Sequence, residues 1–131
     1  MTRQGEISTE PLAAGWRLEG SDEAGHEIRF VFSDEELSRA YLGLTIGRHP
    51  KLCERVLEDP SVSRRHLRIG LRNGELIAED VNSLNSTLLD GQKLAPFQAV
   101  VLRDGQTLTL GRVSLRVRQV RGNRAAQDEA T

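Results

Sequence analysis

The dipeptide Asn73-Gly74 constrains the fold more than any other feature, because it separates two segments in which apolar and polar residues alternate. An Asn-Gly pair favours the left-handed backbone angles of a tight β-hairpin turn. The flanking segments read HLRIGLR and ELIAED, so the pair predicts two adjacent antiparallel strands. Asp90-Gly91 predicts a second turn of this kind, and Asp104-Gly105 predicts a further antiparallel connection before TLTLG.

Apolar residues recur at every second position in several segments, as expected for strands with one buried face. The composition agrees, because 37% hydrophobic and 28% charged residues are ordinary values for a soluble domain. With turn signals every ~8 to 12 residues, the chain is predicted to be all-β, an antiparallel two-sheet β-sandwich of about ten to eleven strands. The alternating sets are Ile28, Phe30 and Phe32, opposite Glu27, Arg29 and Val31; Leu67, Ile69 and Leu71; and Val113, Leu115 and Val117.

One segment breaks the alternation and predicts a helix. Ser33 is followed three residues later by Glu36, which is the spacing of a capping box. The pattern predicts a short helical insertion over DEELSRA, residues 34–40, before the strand LGLTIG. We expect this helix to be a local addition to the sandwich.

The polar ends of the chain predict one domain with two tails. Residues 1–15 (MTRQGEISTEPLAAG) mix polar residues with Gly and Pro and lack periodicity, so they predict a flexible N-terminal tail. Residues 121–131 (RGNRAAQDEAT) are equally polar and predict a flexible C-terminal tail. The domain is expected to span residues 16–120, enough for a packed core.

Three segments carry residue types that hold a phosphate: GRHP at 47–50, SRRH at 63–66 and NSLNSTLLDG at 82–91. A phosphorylated side chain carries roughly −1.5 to −2 charges and strong acceptor oxygens, so its receptor needs clustered donors and positive charge. Arg48 offers a rigid fork of N–H groups, Ser63 a short hydroxyl donor and Arg64 a second cation. Asn85 can donate and accept, which suits it to grip the main chain of an extended peptide.

Taken singly, an Arg, Ser or Asn in a loop is more often solvated or caps a turn than binds a ligand. The stronger indication is the combination, in which Gly-Arg, Ser-x-x-His, Ser-x-Asn-x-Thr and Asp-Gly follow in that order. This order resembles the signature of the forkhead-associated (FHA) family, and the resemblance runs from about Tyr41 to Val120. It implies the FHA sandwich of two twisted sheets and a site for phosphothreonine.

By this resemblance, each motif residue has an expected role. Arg48 and Ser63 match the residues that bind phosphothreonine, and Arg64 matches a position that often assists. Asn85 matches the asparagine that binds the peptide backbone. Leu84 and Ser86 border the pocket, while Gly47, His66 and Thr87 support the site by allowing close backbone approach, bracing the binding loop and tying loop to loop.

Two positions depart from the family pattern. Ser86 stands where the family has glycine, so it must adopt glycine-like backbone angles or shift the loop. Asp90 stands where the family has asparagine; it forms the turn nearly as well, but its charge would repel a phosphate close by. The residues expected near the +3 side of the peptide, Ser61 and Leu84, carry no charge that predicts a preference.

The resemblance implies a phosphothreonine-peptide-binding signalling or adaptor module that acts downstream of a Ser/Thr protein kinase. Its implied partners are phosphothreonine-containing proteins and that kinase. The alternative is a phosphate-independent scaffold with a vestigial pocket, which the joint presence of Gly47, Arg48, Ser63, His66 and Asn85 disfavours. A further hypothesis is that a kinase phosphorylates Thr9, in EISTEPL, and that the tail then occupies the domain's own pocket; the alternative is an unmodified tail.

Composition disfavours nucleic-acid and membrane partners. The formal net charge is −1, so the cluster Arg64, Arg65, Arg68 and Arg72 is a local patch, and its outer two members are expected on a solvated strand face. One cysteine, Cys53, forms no internal disulfide, which fits a reducing compartment. No apolar run approaches the ~18 residues of a membrane span, and a cytoplasmic location is expected.

Neither a cofactor, a metal nor catalysis is expected. His66 has no second His or Cys at ligand spacing. A hydrolase would have to combine Ser63 with His66 and Asp80, but the chain has no Gly-x-Ser-x-Gly nucleophile elbow. The chain is therefore predicted not to be an enzyme.

Overall fold

The computed structural model describes residues 14–121. This part of the chain forms eleven strands and one short helix, which confirms the predicted fold class. In chain order the elements are β1 (Gly15–Ser21), β2 (Glu27–Ser33), α1 (Asp34–Arg39), β3 (Leu44–Gly47), β4 (Arg55–Val56), β5 (Leu67–Arg72), β6 (Glu75–Asp80), β7 (Thr87–Leu89), β8 (Gln92–Lys93), β9 (Val100–Leu102), β10 (Thr107–Leu110) and β11 (Val113–Val120).

The strands form two sheets. Sheet A has six strands in the order β2-β1-β11-β10-β7-β8, and sheet B has five in the order β4-β3-β5-β6-β9. Pairing is antiparallel in both sheets except between β3 and β4, which are parallel. β1 begins at Gly15, one residue before the predicted start of the domain, because Gly15 pairs with both Val120 and Ser33.

The core lies between the inner faces of the two sheets, where alternation places apolar side chains. All three alternating sets point inward as predicted, with Ile28, Phe30 and Leu71 only partly buried against the core. Full burial of a large apolar side chain contributes about 1.5–3 kcal/mol. The fully or nearly fully buried members of the core include Trp16, Leu18, Phe32, Ile46, Leu67, Ile69, Leu76, Leu102, Leu108, Leu110, Val113, Leu115 and Val117.

The predicted turns are right in two cases and wrong in the third. Asn73 (φ 54°) and Gly74 (φ 79°) close the β5–β6 hairpin, and Asp90-Gly91 closes β7–β8 with the same left-handed angles. Asp104-Gly105 does not join antiparallel neighbours, because β9 pairs with β6 in sheet B while β10 lies in sheet A. A turn sequence specifies local backbone angles, whereas the sheet that the next strand joins depends on packing.

Helix α1 confirms the predicted N-cap but not its peripheral role. Ser33 Oγ accepts a hydrogen bond from the Glu36 N–H at 3.0 Å. The Glu36 carboxylate, however, contacts Arg55 Nη2 at 2.7 Å, so the reciprocal half of the capping box is replaced by an ion pair with β4. Leu37 is only 2% exposed and belongs to the core cluster. The helix therefore closes the sandwich and is not a surface addition.

The motif-bearing loops converge at one end of the sandwich, which we call the loop end. These are the β3–β4 loop (48–54), the β4–β5 loop (57–66) and the β6–β7 loop (81–86). The turn between β10 and β11 joins them, since Arg112 N–H donates to Ser61 Oγ at 2.8 Å and Gly111 N–H to the Ser86 carbonyl at 3.4 Å. Rigid strands thus hold all three loops against each other.

Candidate phosphopeptide-binding site

An open cleft at the loop end, with a volume of about 830 Å³, brings together part of the predicted site. We call it the arginine cleft, because three arginines and no carboxylate line it. Of the predicted ligand-binding residues, Arg48, Ser63, Arg64 and Leu84 line this cleft, whereas Asn85 and Ser86, which follow Leu84 in the chain, do not. The complete lining is Arg48, Leu52, Ser63, Arg64, Arg65, Val81, Asn82 and Leu84.

Arg48 is exposed but held in place by the neighbouring loop. Its backbone N–H donates to the Ser63 carbonyl at 2.9 Å, and its side-chain Nε donates to the Val62 carbonyl at 2.8 Å. This arrangement leaves the two terminal guanidinium nitrogens for a ligand. Gly47 makes the approach possible, because a Cβ there would collide with the Arg64 carbonyl and lie 2.9 Å from Cys53 Sγ.

Ser63 is oriented by contacts on both sides. Its Oγ accepts a hydrogen bond from the Leu84 N–H at 2.9 Å, which ties the β4–β5 loop to the β6–β7 loop. Because a hydroxyl carries one donor and two acceptor lone pairs, the proton of Ser63 stays free to donate to an anion. Its backbone N–H is engaged by His66 Nδ1 at 3.0 Å.

His66 is fully buried and braces two loops. Nδ1 accepts from the Ser63 N–H, so Nε2 carries the proton and donates to the Ser86 carbonyl at 2.9 Å. The ring is thus a neutral imidazole with one donor and one acceptor. Burial lowers the pKa of His66 against the opposing effects of the Ser86 hydrogen bond and the Asp80 charge.

Asp80, the buried last residue of β6, organises the β6–β7 loop, a role that was not predicted from the sequence motifs. Oδ1 accepts from the Asn82 and Ser83 N–H groups at 2.8 and 2.9 Å. Oδ2 accepts from the hydroxyls of Ser83 and Thr87, both at 2.6 Å. Burial raises the pKa of Asp80, but the hydrogen bonds from Ser83, Thr87 and Asn82 outweigh it and lower the pKa. The spacing Asp-x-x-Ser, which is typical of Asx turns, was the available signal.

These contacts do not form the relay of a hydrolase. The hydroxyl of Ser63 is bonded to the Leu84 N–H, not to His66. Both ring nitrogens of His66 are taken by backbone groups, and Asp80 is bonded to Ser83 and Thr87. A Ser-His-Asp triad requires the base to face the nucleophile and the acid to face the base.

Asn85 and Ser86 follow Leu84 in the β6–β7 loop. The side-chain Nδ2 of Asn85 donates to the Ser61 carbonyl at 2.9 Å in a partly buried contact, while the residue as a whole is exposed. Ser86 adopts φ 69°, so of the two expected outcomes this serine takes the glycine-like angles. The conformation lets the Ser86 carbonyl reach His66.

Other residues singled out by sequence lie away from the ligand-facing surface. Ser61 is 8% exposed and its hydroxyl donates to Asp59 at 2.6 Å, so it supports the loop from inside. Asp90 sits at the far end of β7 from Ser86, where its carboxylate accepts from the Thr107 N–H at 2.9 Å. Cys53 Sγ contacts the Arg64 carbonyl at 3.0 Å, and burial raises the pKa of its thiol.

The outer arginines of the basic cluster also lie outside the cleft. Arg68 is 3.7 Å from Glu79 on the outer face of sheet B, and Arg72 is exposed on the same face, as predicted. Sequence reasoning assigned no site role to Leu52, Val81 and Asn82, because only the folded loops bring them to the cleft. Asn82 (φ 71°) takes a left-handed angle that Asn tolerates.

Residues 14–121 contain no group of His, Cys, Asp and Glu side chains that could hold a metal ion. Over the same residues, no helix is long and apolar enough to cross a membrane.

The fold and the cleft together define a member of the FHA class. The FHA domain family model matches residues 44–111, and the chain belongs to this family. Among curated relatives, the oxoglutarate dehydrogenase inhibitor of Corynebacterium glutamicum is 37% identical over 71 residues, covering 54% of this chain and 47% of the relative. Glycogen accumulation regulator GarA of Mycobacterium tuberculosis is 38% identical over 69 residues, covering 53% and 40%. The match thus spans less than half of each relative.

Solved structures show the same fold. The FHA domain of an Arabidopsis thaliana hypothetical protein superposes with a TM-score of 0.67 at 28% identity, covering 92% of this chain and 97% of that one. A structure from a study of phosphothreonine-dependent FHA domain interactions has a TM-score of 0.61 at 27% identity, covering 79% and 95%.

Proposed function

We propose that the protein binds phosphothreonine-containing peptides in the arginine cleft and acts as a signalling adaptor downstream of a Ser/Thr protein kinase. The observation that carries this proposal is the convergence of Arg48, Ser63 and Arg64 in one carboxylate-free cleft. A phosphate dianion needs this combination of positive charge and short donors. Its source is a phosphorylated side chain of a partner protein.

Each residue has a distinct part in the proposed complex. Arg48 offers its terminal guanidinium nitrogens in a bidentate contact, and Ser63 donates its free hydroxyl proton to a third oxygen. Arg64 adds a second cation, and Arg65, which also lines the cleft, adds a third. Asn85, next in sequence to Leu84, binds the main chain of the peptide through its carboxamide.

Preorganisation strengthens this proposal. His66 fixes the Ser63 backbone, Leu84 N–H fixes the Ser63 hydroxyl, and Val62 fixes the Arg48 side chain. The donors are therefore ordered before a ligand arrives, which lowers the conformational entropy lost on binding.

The relatives support an adaptor role. One solved relative comes from work on phosphothreonine-dependent FHA interactions, and two curated relatives are named as an inhibitor and a regulator. We extend that kind of activity, binding without catalysis, to this chain, and place it in the cytoplasm. The partners would be phosphorylated proteins and the kinase that modifies them; no nucleic acid or membrane is required. The alternative of a phosphate-independent scaffold remains the outcome to be tested.

The test is retention on peptide libraries that differ only at the central residue, which is phosphothreonine, phosphoserine or threonine with degenerate flanks. Phosphothreonine peptides should be retained, and unmodified ones should not. Isothermal titration with a selected sequence then gives the affinity, and the phosphothreonine and threonine forms are compared. Equal binding of those two forms would establish the scaffold alternative instead. The Arg72→Ala variant, altered on the outer face of sheet B, controls for loss of charge alone.

A further inference from the structure

The outer face of sheet A carries a concentration of arginines that the arginine cleft does not use. Strands β2, β1 and β11 lie side by side, and their outward positions hold four arginines and two carboxylates. Glu19 lies among Arg29, Arg17, Arg116 and Arg118, while Glu27 lies at the edge of the group, opposite Ser21. We call the four arginines and Glu19 the arginine face. The arginine side chains of Arg17, Arg29 and Arg118 are 35%, 57% and 46% exposed.

The strand register places like charges opposite each other. Arg17 is the cross-strand partner of Arg118, and Glu19 lies between Arg29 and Arg116. The Glu19 carboxylate is 2.8 Å from Arg17 Nε, 3.8 Å from Arg118 Nε and 3.9 Å from Arg29 Nε. A single negative charge is thus shared by three cations. Arg17 Nε is buried and, despite its short distance to Glu19, makes no hydrogen bond of acceptable geometry.

Sheet B shows that the fold does not require this surplus. On its outer face, Arg68 is the cross-strand partner of Glu79, and Arg72 is the partner of Glu75. Opposite charges across strands stabilise a sheet, while like charges directly opposite destabilise it. The repulsion between Arg17 and Arg118 is offset only by the Glu19 carboxylate that they share, so a ligand that supplies further negative charge is a physical reason for keeping the pair.

We propose that the arginine face binds an acidic, extended polypeptide segment of a partner protein. All four cations are arginines, whose planar fork suits bidentate contact with carboxylates. Arg116 and Arg118 are two residues apart on one strand, about 6.6 Å along its axis. An extended segment with acidic residues at every second position repeats at this same interval, so its carboxylates meet successive arginines.

Charge and surface chemistry favour a protein segment over other polyanions. Typical protein–DNA interfaces neutralise about six to ten phosphates, more than four arginines beside Glu19 and Glu27 can. Membrane binding also needs apolar side chains that insert, and on β1, β2 and β11 the exposed large apolar residue is Val31 alone. The proposal goes beyond phosphopeptide binding and does not depend on it, because the arginine face and the arginine cleft share no residue.

The test uses the full chain, isotope-labelled for NMR, and a synthetic peptide of about twelve residues that alternates glutamate and serine. A glutamine-serine peptide and a short RNA duplex serve as comparison probes. The glutamate peptide should shift amide resonances of β1, β2 and β11, and its binding should weaken as salt rises. Arg29→Gln with Arg118→Gln should reduce the affinity about ten-fold.

The matched control is Arg68→Gln with Arg72→Gln, which removes the same charge from sheet B and should leave the affinity within about two-fold. If both double variants weakened binding of the glutamate peptide equally, the binding would depend on net charge alone and the proposal would be overturned. Shifts confined to Arg48, Ser63 and their loops, or tighter binding of the RNA duplex or the neutral peptide, would overturn it as well. Shift mapping on the unmodified chain keeps the test valid even if a variant fails to fold.

Discussion

His66 accepts a hydrogen bond from the backbone N–H of Ser63 through Nδ1, at 3.0 Å, and the same ring donates from Nε2 to the Ser86 carbonyl. One buried side chain therefore positions Ser63, which we propose binds the phosphate, and the loop that carries Asn85. A protonated ring would bring an N–H against the N–H of Ser63, so the arrangement requires the neutral form. Stability and site geometry are thereby coupled to one titration.

We predict that the free energy of unfolding falls as the pH is lowered below about 6.5, the ordinary pKa of a histidine side chain. The folded pKa of His66 is lowered, so the unfolded chain takes up a proton that the folded chain resists. The contribution of His66 to the free energy of unfolding is fully present above pH 6.5. It decreases as the pH falls towards the folded-state pKa, by no more than about 1.4 kcal/mol per pH unit. Asp80, whose folded pKa lies below its usual 3.8, acts in a separate window at lower pH.

Denaturant unfolding between neutral and mildly acidic pH measures this dependence. The His66→Gln variant, where it folds, should show a flatter profile over the same interval. His26 and His49 remain in that variant and provide the background. An unchanged slope in His66→Gln would assign the pH dependence to other groups.

Arg48→Ala is expected to abolish measurable phosphopeptide binding while the domain stays folded. The substitution removes a charge-assisted bidentate contact, at a cost of about 2–5 kcal/mol in binding. Loss of the Nε bond to the Val62 carbonyl costs the fold only about 0.5–1.5 kcal/mol. Titration calorimetry and thermal unfolding separate the two effects. Arg48→Lys keeps the charge without the fork and should bind with intermediate affinity; unaltered binding by Arg48→Ala would place the phosphate elsewhere.

Ser86→Gly should raise the stability of the domain. Ser86 has φ 69°, a conformation that costs an L-residue about 1–2 kcal/mol, against about 0.5–1 kcal/mol for the greater unfolded-state freedom of glycine. The expected net gain is about 0.5–1 kcal/mol, measured by denaturant unfolding. Ser114→Gly, the same change at the second residue of β11, where the backbone is extended, should instead destabilise by a similar amount. Equal effects at both positions would argue that residue 86 carries no backbone strain.

Phosphothreonine peptides should bind more tightly than phosphoserine peptides of the same sequence. The family resemblance implies a small pocket for the threonine methyl, and Val81 and Leu84 supply apolar surface in the cleft. One buried methyl contributes about 0.8 kcal/mol, or about four-fold in affinity. Paired calorimetric titrations measure the ratio. Val81→Ala should reduce this affinity ratio. Indistinguishable affinities for the two peptides in the unmodified protein would show that it has no pocket for the methyl group.

The features that sequence predicted are those that depend on local chemistry. The β5–β6 hairpin follows from the left-handed angles that Asn73-Gly74 adopts, and burial of Val113, Leu115 and Val117 follows from period two. The crossover after Leu102 and the burial of Leu37 were missed, because both are decided by which surfaces pack together. Val81 and Asn82 line the cleft because the β6–β7 loop packs against the β4–β5 loop, a contact between segments that are distant in sequence.

Phosphorylation of Thr9 gives the last prediction, although this residue lies outside the described part of the chain. Gly15 begins β1 at the end of sheet A opposite the loop end, since Ser21, at the other end of β1, pairs with Ser114 beside the β10–β11 turn. The seven residues of β1 span about 20 Å from first to last, and the segment from Thr9 to Gly15 has the same number of residues and reaches about 20 Å when fully extended. Thr9 therefore barely reaches the arginine cleft of its own domain.

We predict that a chain phosphorylated at Thr9 occupies the cleft of a second copy more readily than its own. An external phosphothreonine peptide should then bind more weakly as the protein concentration rises, because binding between copies follows mass action. Fluorescence titration at several protein concentrations, with Thr9→Ala and a chain lacking residues 1–13 as controls, measures this. Inhibition independent of concentration would show that the tail closes on its own domain. Undiminished peptide binding by the phosphorylated chain would show that Thr9 does not enter the cleft in either way.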